Sequence, residues 1–165
     1  GAVTDLGVGG FMVAAPLPTL QVAKVSEVLS DPVNAAVNPK RIPGAVVRYT
    51  IAVTNSGPGA VDASSLVITD PVPANSALYV AAGGGGPVEF IDGTPASGLA
   101  FNVATDVSYS NQPGGGAPYN YTPMPDGQGF DPLVTGVRIA PTGTMNAASG
   151  ASQPAFTIRL RVRVR

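Results

Sequence analysis

The sequence contains no cysteine and no histidine. Without cysteine, the chain can form neither a disulfide framework nor a thiolate metal site. Without histidine, it lacks the usual general base, the commonest metal ligand and the side chain that titrates near neutral pH. These absences argue against an enzyme, and we expect no cofactor.

Charged residues are also scarce, at 12% of the chain, and the formal net charge is −1. This balance favours neither a nucleic-acid partner nor an anionic membrane surface. No apolar run approaches the ~20 residues of a membrane-spanning helix, so we expect no membrane insertion. The chain begins at Gly1 rather than Met, and we expect a secreted or surface-displayed protein from which a signal peptide has been removed.

Glycine and proline, in contrast, are abundant, with 21 and 17 residues. The apolar content of 44% argues against disorder, because a disordered chain lacks enough apolar surface to offset its ordering entropy. None of the prolines lies within the four clearest strand candidates, which are residues 20–28, 46–54, 65–70 and 156–165. That placement suits a β-sheet protein, since proline cannot donate a ladder hydrogen bond.

Alternation of apolar and polar residues is clearest at the C-terminus. Phe156, Ile158 and Leu160 fall on one face of a strand and the arginines between them on the other,. In residues 46–54, one face carries Val47, Tyr49, Ile51 and Val53, and the strand ends in the turn signal Asn55-Ser56-Gly57-Pro58-Gly59,. Weaker strand candidates are residues 77–81, 88–91, 99–103, 107–109 and 134–139. About seven to nine short strands separated by turn signals predict an all-β fold, an antiparallel sandwich of two sheets.

Three segments in the first half of the chain resemble a known module. They are 24–26 (KVS), 44–58 (GAVVRYTIAVTNSGP) and 66–73 (LVITDPVP), and residues 157–165 are similar to the closing strand of the same module. The likeness is to the conserved surface-protein repeat domain of bacteria and archaea, which is immunoglobulin-like.

This resemblance covers roughly residues 20–165 as a single unit, and residues 83–131 depart from it. It implies an immunoglobulin-like sandwich on a secreted or surface protein, used as a spacer, an adhesin segment or a filament subunit, with no enzymatic activity. We therefore divide the chain into an extension with hinge (1–18) and a sandwich domain (19–165).

The N-terminal extension is unusually apolar for a terminus. Asp5 is its one charged side chain, and Pro16-Leu17-Pro18 separates it from the domain as a stiff hinge,. Its candidate docking residues are Val3, Leu6, Val8, Phe11, Met12 and Val13. Ordering such a segment costs backbone entropy comparable with what its side chains return, so it needs a ready-made groove.

Two alternatives remain open for this extension. It can fold onto its own domain as an extra strand, or it can act as a donor strand that pairs with the sheet edge of a neighbouring copy. The second alternative gives a head-to-tail homopolymer, because a contact of this kind does not close on itself.

Several side chains in the 106–131 loops could bind a ligand. Asp106, Asp126 and Asp131 offer oxygen ligands that suit Ca²⁺, but the alternating acidic pattern and the closing glutamate of a calcium loop are absent, so we interpret the segment as solvated turns. Asn120 begins a glycosylation triplet. A further three side chains, Tyr109, Tyr119 and Tyr121, either bind a glycan or cap the core, and we favour the cap.

The arginine stripe, residues 159, 161, 163 and 165, is too short in a net-acidic chain to indicate a polyanion site. We expect these side chains to solubilise the outer face of a strand and to resist edge-to-edge pairing, or to pair with acids of a neighbouring subunit.

The sequence thus supports a structural function rather than a catalytic one. The first hypothesis is a subunit of an extracellular filament or pilus-like fibre, polymerised by insertion of the N-terminal strand into a neighbour. The alternative is a surface adhesin that recognises glycan or protein through the 106–131 loops.

Overall fold

The computed structural model describes residues 15–83 and 86–165, and this part of the chain is mostly antiparallel β-structure. The all-β prediction is therefore confirmed. In chain order the strands are β1 (Leu20–Ser30), β2 (Val46–Asn55), β3 (Ile68–Pro71), β4 (Ser76–Tyr79), β5 (Val88–Asp92), β6 (Leu99–Ala100), β7 (Val107–Ser110), β8 (Phe130–Asp131), β9 (Gly136–Ile139), β10 (Thr142–Gly143) and β11 (Ala155–Val164). The described residues thus form more strands than the seven to nine predicted, because β8 and β10 are two-residue pairings that leave no alternation to detect.

One short helix, α1 (Val103–Asp106), lies where the sequence predicted the end of a strand. The side chain of Asn102 accepts a hydrogen bond from the backbone N–H of Ala104 at 3.0 Å and so caps the helix,. The carboxylate of Asp106 in turn accepts from the N–H of Asn102 at 2.8 Å. This reciprocal capping stops the strand after Ala100.

The largest sheet of the described residues has six strands in the order β1-β2-β11-β4-β8, with β5 also pairing with β11. Strand β11 is central, because β2 pairs along one edge while β5 and then β4 pair along the other. A second sheet has the order β3-β9-β7, and β6 pairs with β10 in a small third sheet. All of these pairings are antiparallel.

The core lies between the six-stranded and the three-stranded sheets. Alternate residues of β2 and β11 point inward and meet side chains of β9 and of the connecting loops, as the period-two pattern predicts. The buried cluster comprises Val47, Ile51, Val53, Val61, Leu66, Leu78, Val88, Val134, Val137, Ile139, Met145, Phe156, Ile158, Leu160 and Val162. The inward rows of β2 and β11 are therefore as the sequence predicts.

The outward row of β11 carries the arginine stripe, but the predicted role in protecting an edge is wrong. Strand β11 has partners on both edges, so there is no free edge at these arginines. Each of three arginines contacts neighbours in the same chain: Arg159 pairs with Glu89 at 3.5 Å, Arg161 lies 4.0 Å from the ring centroid of Tyr79, and Arg163 pairs with Asp126.

The strands of the large sheet end at two opposite poles of the fold. We call the end formed by loops 56–67 and 144–154 the exit pole, because the segment that connects β1 to the N-terminal extension lies there. Backbone hydrogen bonds join its two loops, such as the bond from the N–H of Val61 to the carbonyl of Met145 at 2.9 Å. The opposite end, formed by loop 31–45 and the C-terminus, is the far pole, where the N–H of Gly44 donates to Val164 at 2.8 Å.

A buried carboxylate organises the loop at the far pole. Asp31 accepts hydrogen bonds from the backbone N–H groups of Asn34 at 2.5 Å, Val33 at 2.7 Å and Lys40 at 2.5 Å. These bonds, that from Asn34 first, favour the ionised form and hold the pKa of Asp31 at about 2,. The turn after β1 is therefore tied to an ionised aspartate.

Candidate functional site

Strand β1 is a long strand at the edge of the large sheet. It spans Leu20–Ser30 and pairs only with β2 among the strands that the structure describes. It contains no proline, and its register shifts only near its end, between Val28 and Ser30. Proteins usually shorten, charge or cover such edges, because the free N–H and C=O groups can recruit another strand. The free edge of β1 can therefore accept a further strand.

The core-facing row of β1 is exposed although its neighbours are buried. In the register of β1 with β2, Leu20 lies opposite Asn55 and Val22 opposite Val53, and opposed side chains share a face of the sheet,. Val53 is 1% exposed, whereas Leu20 is 42% and Val22 66% exposed. The inner face of the large sheet is thus left open at its edge, and these two apolar side chains lie in the opening.

The second sheet ends in a free edge on the same side. Strand β3 is the outermost strand of the sheet β3-β9-β7. Asp70 of β3 lies opposite the buried Val137 and so belongs to the inward row. It contacts Lys24 of β1 at 2.5 Å between Nζ and Oδ1. We call the side formed by the edges of β1 and β3 the open side.

The ion pair of Lys24 and Asp70 bridges the two sheets across the open side. Both residues occupy inward-facing positions, and the ammonium group of Lys24 also lies 4.8 Å from the ring centroid of Tyr49. Asp70 is largely buried, with 13% of its side chain exposed. The pair therefore sets the spacing between the two free edges at mid-strand, and the apolar opening lies between it and the exit pole.

A buried asparagine directs the chain at the exit pole. The side chain of Asn55 accepts hydrogen bonds from the backbone N–H of Thr19 at 3.0 Å and of Gly57 at 3.1 Å. Its amide group donates to the carbonyls of Gly59 at 2.8 Å and Asn146 at 2.9 Å. Asn55 is fully buried, so these four bonds tie the segment before β1 to both loops of the exit pole.

The segment before β1 also continues the antiparallel pairing past the end of β2. Thr19 accepts from the N–H of Ser56 at 2.9 Å, and Leu17 accepts from the N–H of Gly59 at 3.1 Å. A Cβ at Gly59 would lie 2.6 Å from the carbonyl carbons of Pro16 and Leu17, so only glycine permits this close approach. Residues 17–19 therefore continue the pairing of β1 alongside the 55–59 turn at the exit pole.

The predicted docking residues Val3, Leu6, Val8, Phe11, Met12 and Val13 lie outside the described residues. The predicted boundary near residue 18 falls within the segment that pairs with the 55–59 turn, one residue before Thr19. The extension thus joins the domain at the exit pole, next to the open side.

The three carboxylates considered for Ca²⁺ each have separate protein partners. Asp106 caps α1, Asp126 pairs with Arg163, and the buried Asp131 accepts from the hydroxyl of Tyr121 at 2.9 Å. No group of three or more acidic side chains that could hold a metal ion occurs within residues 15–83 and 86–165. The 106–131 loops use these acids to organise their own backbone.

The tyrosines of the same loops face different environments. Tyr109 and Tyr121 pair in an isolated antiparallel bridge and pack against the core, as the preferred interpretation predicted. Burial raises the pKa of Tyr109 to about 12,. Tyr119 is half-buried, and Asn120 is exposed. Two of the three aromatic rings thus contribute to the core rather than to a ligand surface.

Comparison of the chain with protein-family models, curated proteins and solved structures found no match. Across the described residues, no helix has the length and apolar character needed to cross a membrane.

Sequence reasoning missed the residues that shape this site. Leu20, Val22 and Val25 make both faces of β1 partly apolar, a pattern that is typical of strands buried on both faces and that did not indicate their exposure. Asn55 and Gly59 were assigned only to a turn. Their roles depend on residues 16–19 lying beside them, a contact that no local pattern encodes.

Proposed function

We propose that this chain is a structural subunit of an extracellular filament or pilus-like fibre. In this proposal the domain is an immunoglobulin-like sandwich whose open side accepts the N-terminal strand of a neighbouring copy. The observation that carries the proposal is the exposed inner row of β1, where Leu20 and Val22 lie beside a buried row of β2. An apolar row at a free edge is complementary to an apolar strand.

The apolar extension is the occupant that the chain itself supplies. Residues 1–14 contain one charged side chain, that of Asp5, and several large apolar ones. Burial of such side chains in the opening contributes about 1.5–3 kcal/mol each, and the ladder adds about 0.5–1.5 kcal/mol per hydrogen bond. The free edge of β1 thus complements both the backbone and the side chains of the extension.

The direction of the chain at the exit pole favours exchange over self-docking. Hydrogen bonds to Asn55, Ser56 and Gly59 hold residues 17–19 against the exit pole, in the antiparallel direction relative to β2 that β1 also follows. Pro16 and Pro18 restrict the backbone there, including that of the residue before each proline. For self-docking, the extension would have to reverse its direction beyond this anchored segment, whereas a neighbour placed ahead of the exit pole meets it directly.

The alternative of a glycan- or protein-binding adhesin receives less support. Its candidate surface was the 106–131 loops, and Tyr109 and Tyr121 of those loops pack against the core. Asp106 and Asp131 are buried as well, with hydrogen bonds inside the domain. We therefore keep the filament as the single proposal.

The proposal is tested by electron microscopy and sedimentation of the purified full-length chain and of a variant that lacks residues 1–14. We expect unbranched fibres from the full-length chain and monomers from the shortened one, which retains the complete described domain. Monomers from the full-length chain, or unchanged fibres from the shortened chain, would overturn the proposal.

A peptide test locates the acceptor on the shortened chain. A synthetic peptide of residues 1–14 is expected to bind it, and Val22→Lys, at the open side, is expected to abolish binding. Leu133→Lys is the matched control, because Leu133 is 61% exposed and follows β8 at the opposite edge of the large sheet. Equal loss of binding in both variants would contradict the assignment of the open side.

A further inference from the structure

The strands that border the open side run in the same direction. Strand β1 leaves the exit pole and ends at the far pole, where Asp31 begins the loop to β2. Strand β2 returns to the exit pole, and after loop 56–67 the strand β3 runs towards the far pole. The chain reaches the far pole at Asn75, whose carbonyl accepts a hydrogen bond from the N–H of Arg165 at 2.7 Å. Both free edges therefore point from the exit pole to the far pole.

The segment that joins the extension to β1 follows the same direction. Residues 17–19 continue the pairing of β1 past Asn55, and in the proposed fibre the extension would leave the domain at the exit pole. A neighbour that is stacked head-to-tail in this position presents its far pole to the exit pole. The extension then runs along the open side of that neighbour in the direction in which its β1 runs.

We propose, as a refinement that rests on the proposed function, that the inserted strand is parallel to β1 and β3 of the neighbouring copy. Rotation of the neighbour about the stacking axis does not change this direction, because all copies point the same way along the axis. The 14 residues ahead of Ala15 span about 45 Å when extended, and the 11 residues of β1 span about 36 Å. The extension is therefore long enough to follow β1 from end to end.

This direction also assigns side chains to the two faces. When residue 14 lies beside Ser30 of the neighbour, Leu6 lies opposite Val22 and Met12 opposite Val28. Val22 and Val28 belong to the inward row of β1, so Leu6, Met12 and Val8 between them would also face inward. Side chains at the opposed positions of paired strands share one face, and the inserted strand would thus fill the apolar opening.

Self-docking predicts the opposite direction. An extension that reverses directly before the anchored residues 16–19 and returns along its own β1 forms a hairpin, and its returning part is antiparallel to β1. The direction of the inserted strand therefore distinguishes exchange along the stacking axis from folding back within one chain.

Engineered disulfides test the direction without background, because the chain contains no cysteine. Two double variants report a parallel strand: Leu6→Cys with Val22→Cys, and Met12→Cys with Val28→Cys. The crossed combinations, Leu6→Cys with Val28→Cys and Met12→Cys with Val22→Cys, report an antiparallel strand. The four single variants are the controls for non-specific oxidation.

We expect the parallel pairs to give a ladder of covalent multimers on non-reducing gels after mild oxidation of the fibres. The crossed pairs would then be about 20 Å apart, beyond the ~7 Å between Cα atoms that a disulfide can bridge, so their yield should be at least ~10-fold lower. The ladder is expected to collapse to monomers on reduction.

The other outcomes separate this inference from the proposed function. Fibres in which only the crossed pairs form multimers would overturn the parallel direction and leave the filament intact. Disulfides that link the extension to Val22 or Val28 within single chains, with no fibres, would establish self-docking and overturn both. Fibres that persist without residues 1–14 would overturn the donor strand itself.

Discussion

Replacement of Val22 by threonine separates assembly from folding, because the side chain is exposed in the isolated domain and would be covered in the filament. Threonine keeps the shape and the strand preference of valine but adds a hydroxyl group. With 66% of Val22 exposed, the hydroxyl remains hydrated in the monomer. We therefore expect the free energy of unfolding of the monomer to change by less than about 0.5 kcal/mol.

In the filament the same hydroxyl would lie between apolar side chains, beside the buried Val53. A buried hydroxyl without a partner costs about 1–3 kcal/mol. Since about 1.4 kcal/mol corresponds to a tenfold change in affinity, the protein concentration at which fibres form should rise by about 5- to 150-fold.

The assay is sedimentation of fibres over a range of protein concentrations, with thermal unfolding of the variant that lacks residues 1–14 as the measure of monomer stability. Val103→Thr is the matched control, because Val103 is also exposed, at 38%. It lies in α1 next to β7, which forms the opposite edge of the three-stranded sheet from β3. An unchanged threshold for Val22→Thr, or the same rise for Val103→Thr, would refute the reasoning.

Three further predictions concern the exit pole and the far pole. Gly59→Ala should destabilise the domain by about 1–3 kcal/mol in urea unfolding, since the new methyl group meets the backbone of Pro16,. The control Gly127→Ala should cost far less, because the space around Gly127 is open. Equal costs for the two variants would contradict the close approach at Gly59. Asn55→Ala should cost about 3 kcal/mol or more, because it leaves buried backbone groups unpaired,, and a loss below about 1 kcal/mol would show that water replaces the amide. The pKa of Asp31 is about 2 in the fold, below its unfolded value, so its stabilising contribution is present above pH ~4 and is lost as the pH falls towards 2. In Asp31→Asn, the free energy of unfolding should therefore fall less steeply between these pH values. An unchanged pH profile of stability would contradict this.

The sequence predicted the elements whose signal is local. The alternation in residues 46–54 and 156–165 placed β2 and β11 with their inward rows correct, because period-two patterns report which face of a strand is buried. The stiff hinge predicted at Pro16-Leu17-Pro18 rested on the restricted backbone of proline, and this pattern did not reveal that Leu17 is hydrogen-bonded to Gly59 of the domain.

The tertiary structure alone decided where these strands lie. The arginines of β11 suggested an edge, yet β11 is central, because charge on an outward row indicates solvent on one face and says nothing about partners at the strand's edges. Likewise, nothing local distinguished Val22 from a buried valine. Its exposure results from the three-stranded sheet ending at β3 and so leaving β1 uncovered. The sequence alone shows that the extension is apolar. The free edges that could accept it depend on the order of the strands, and long-range pairing determines that order.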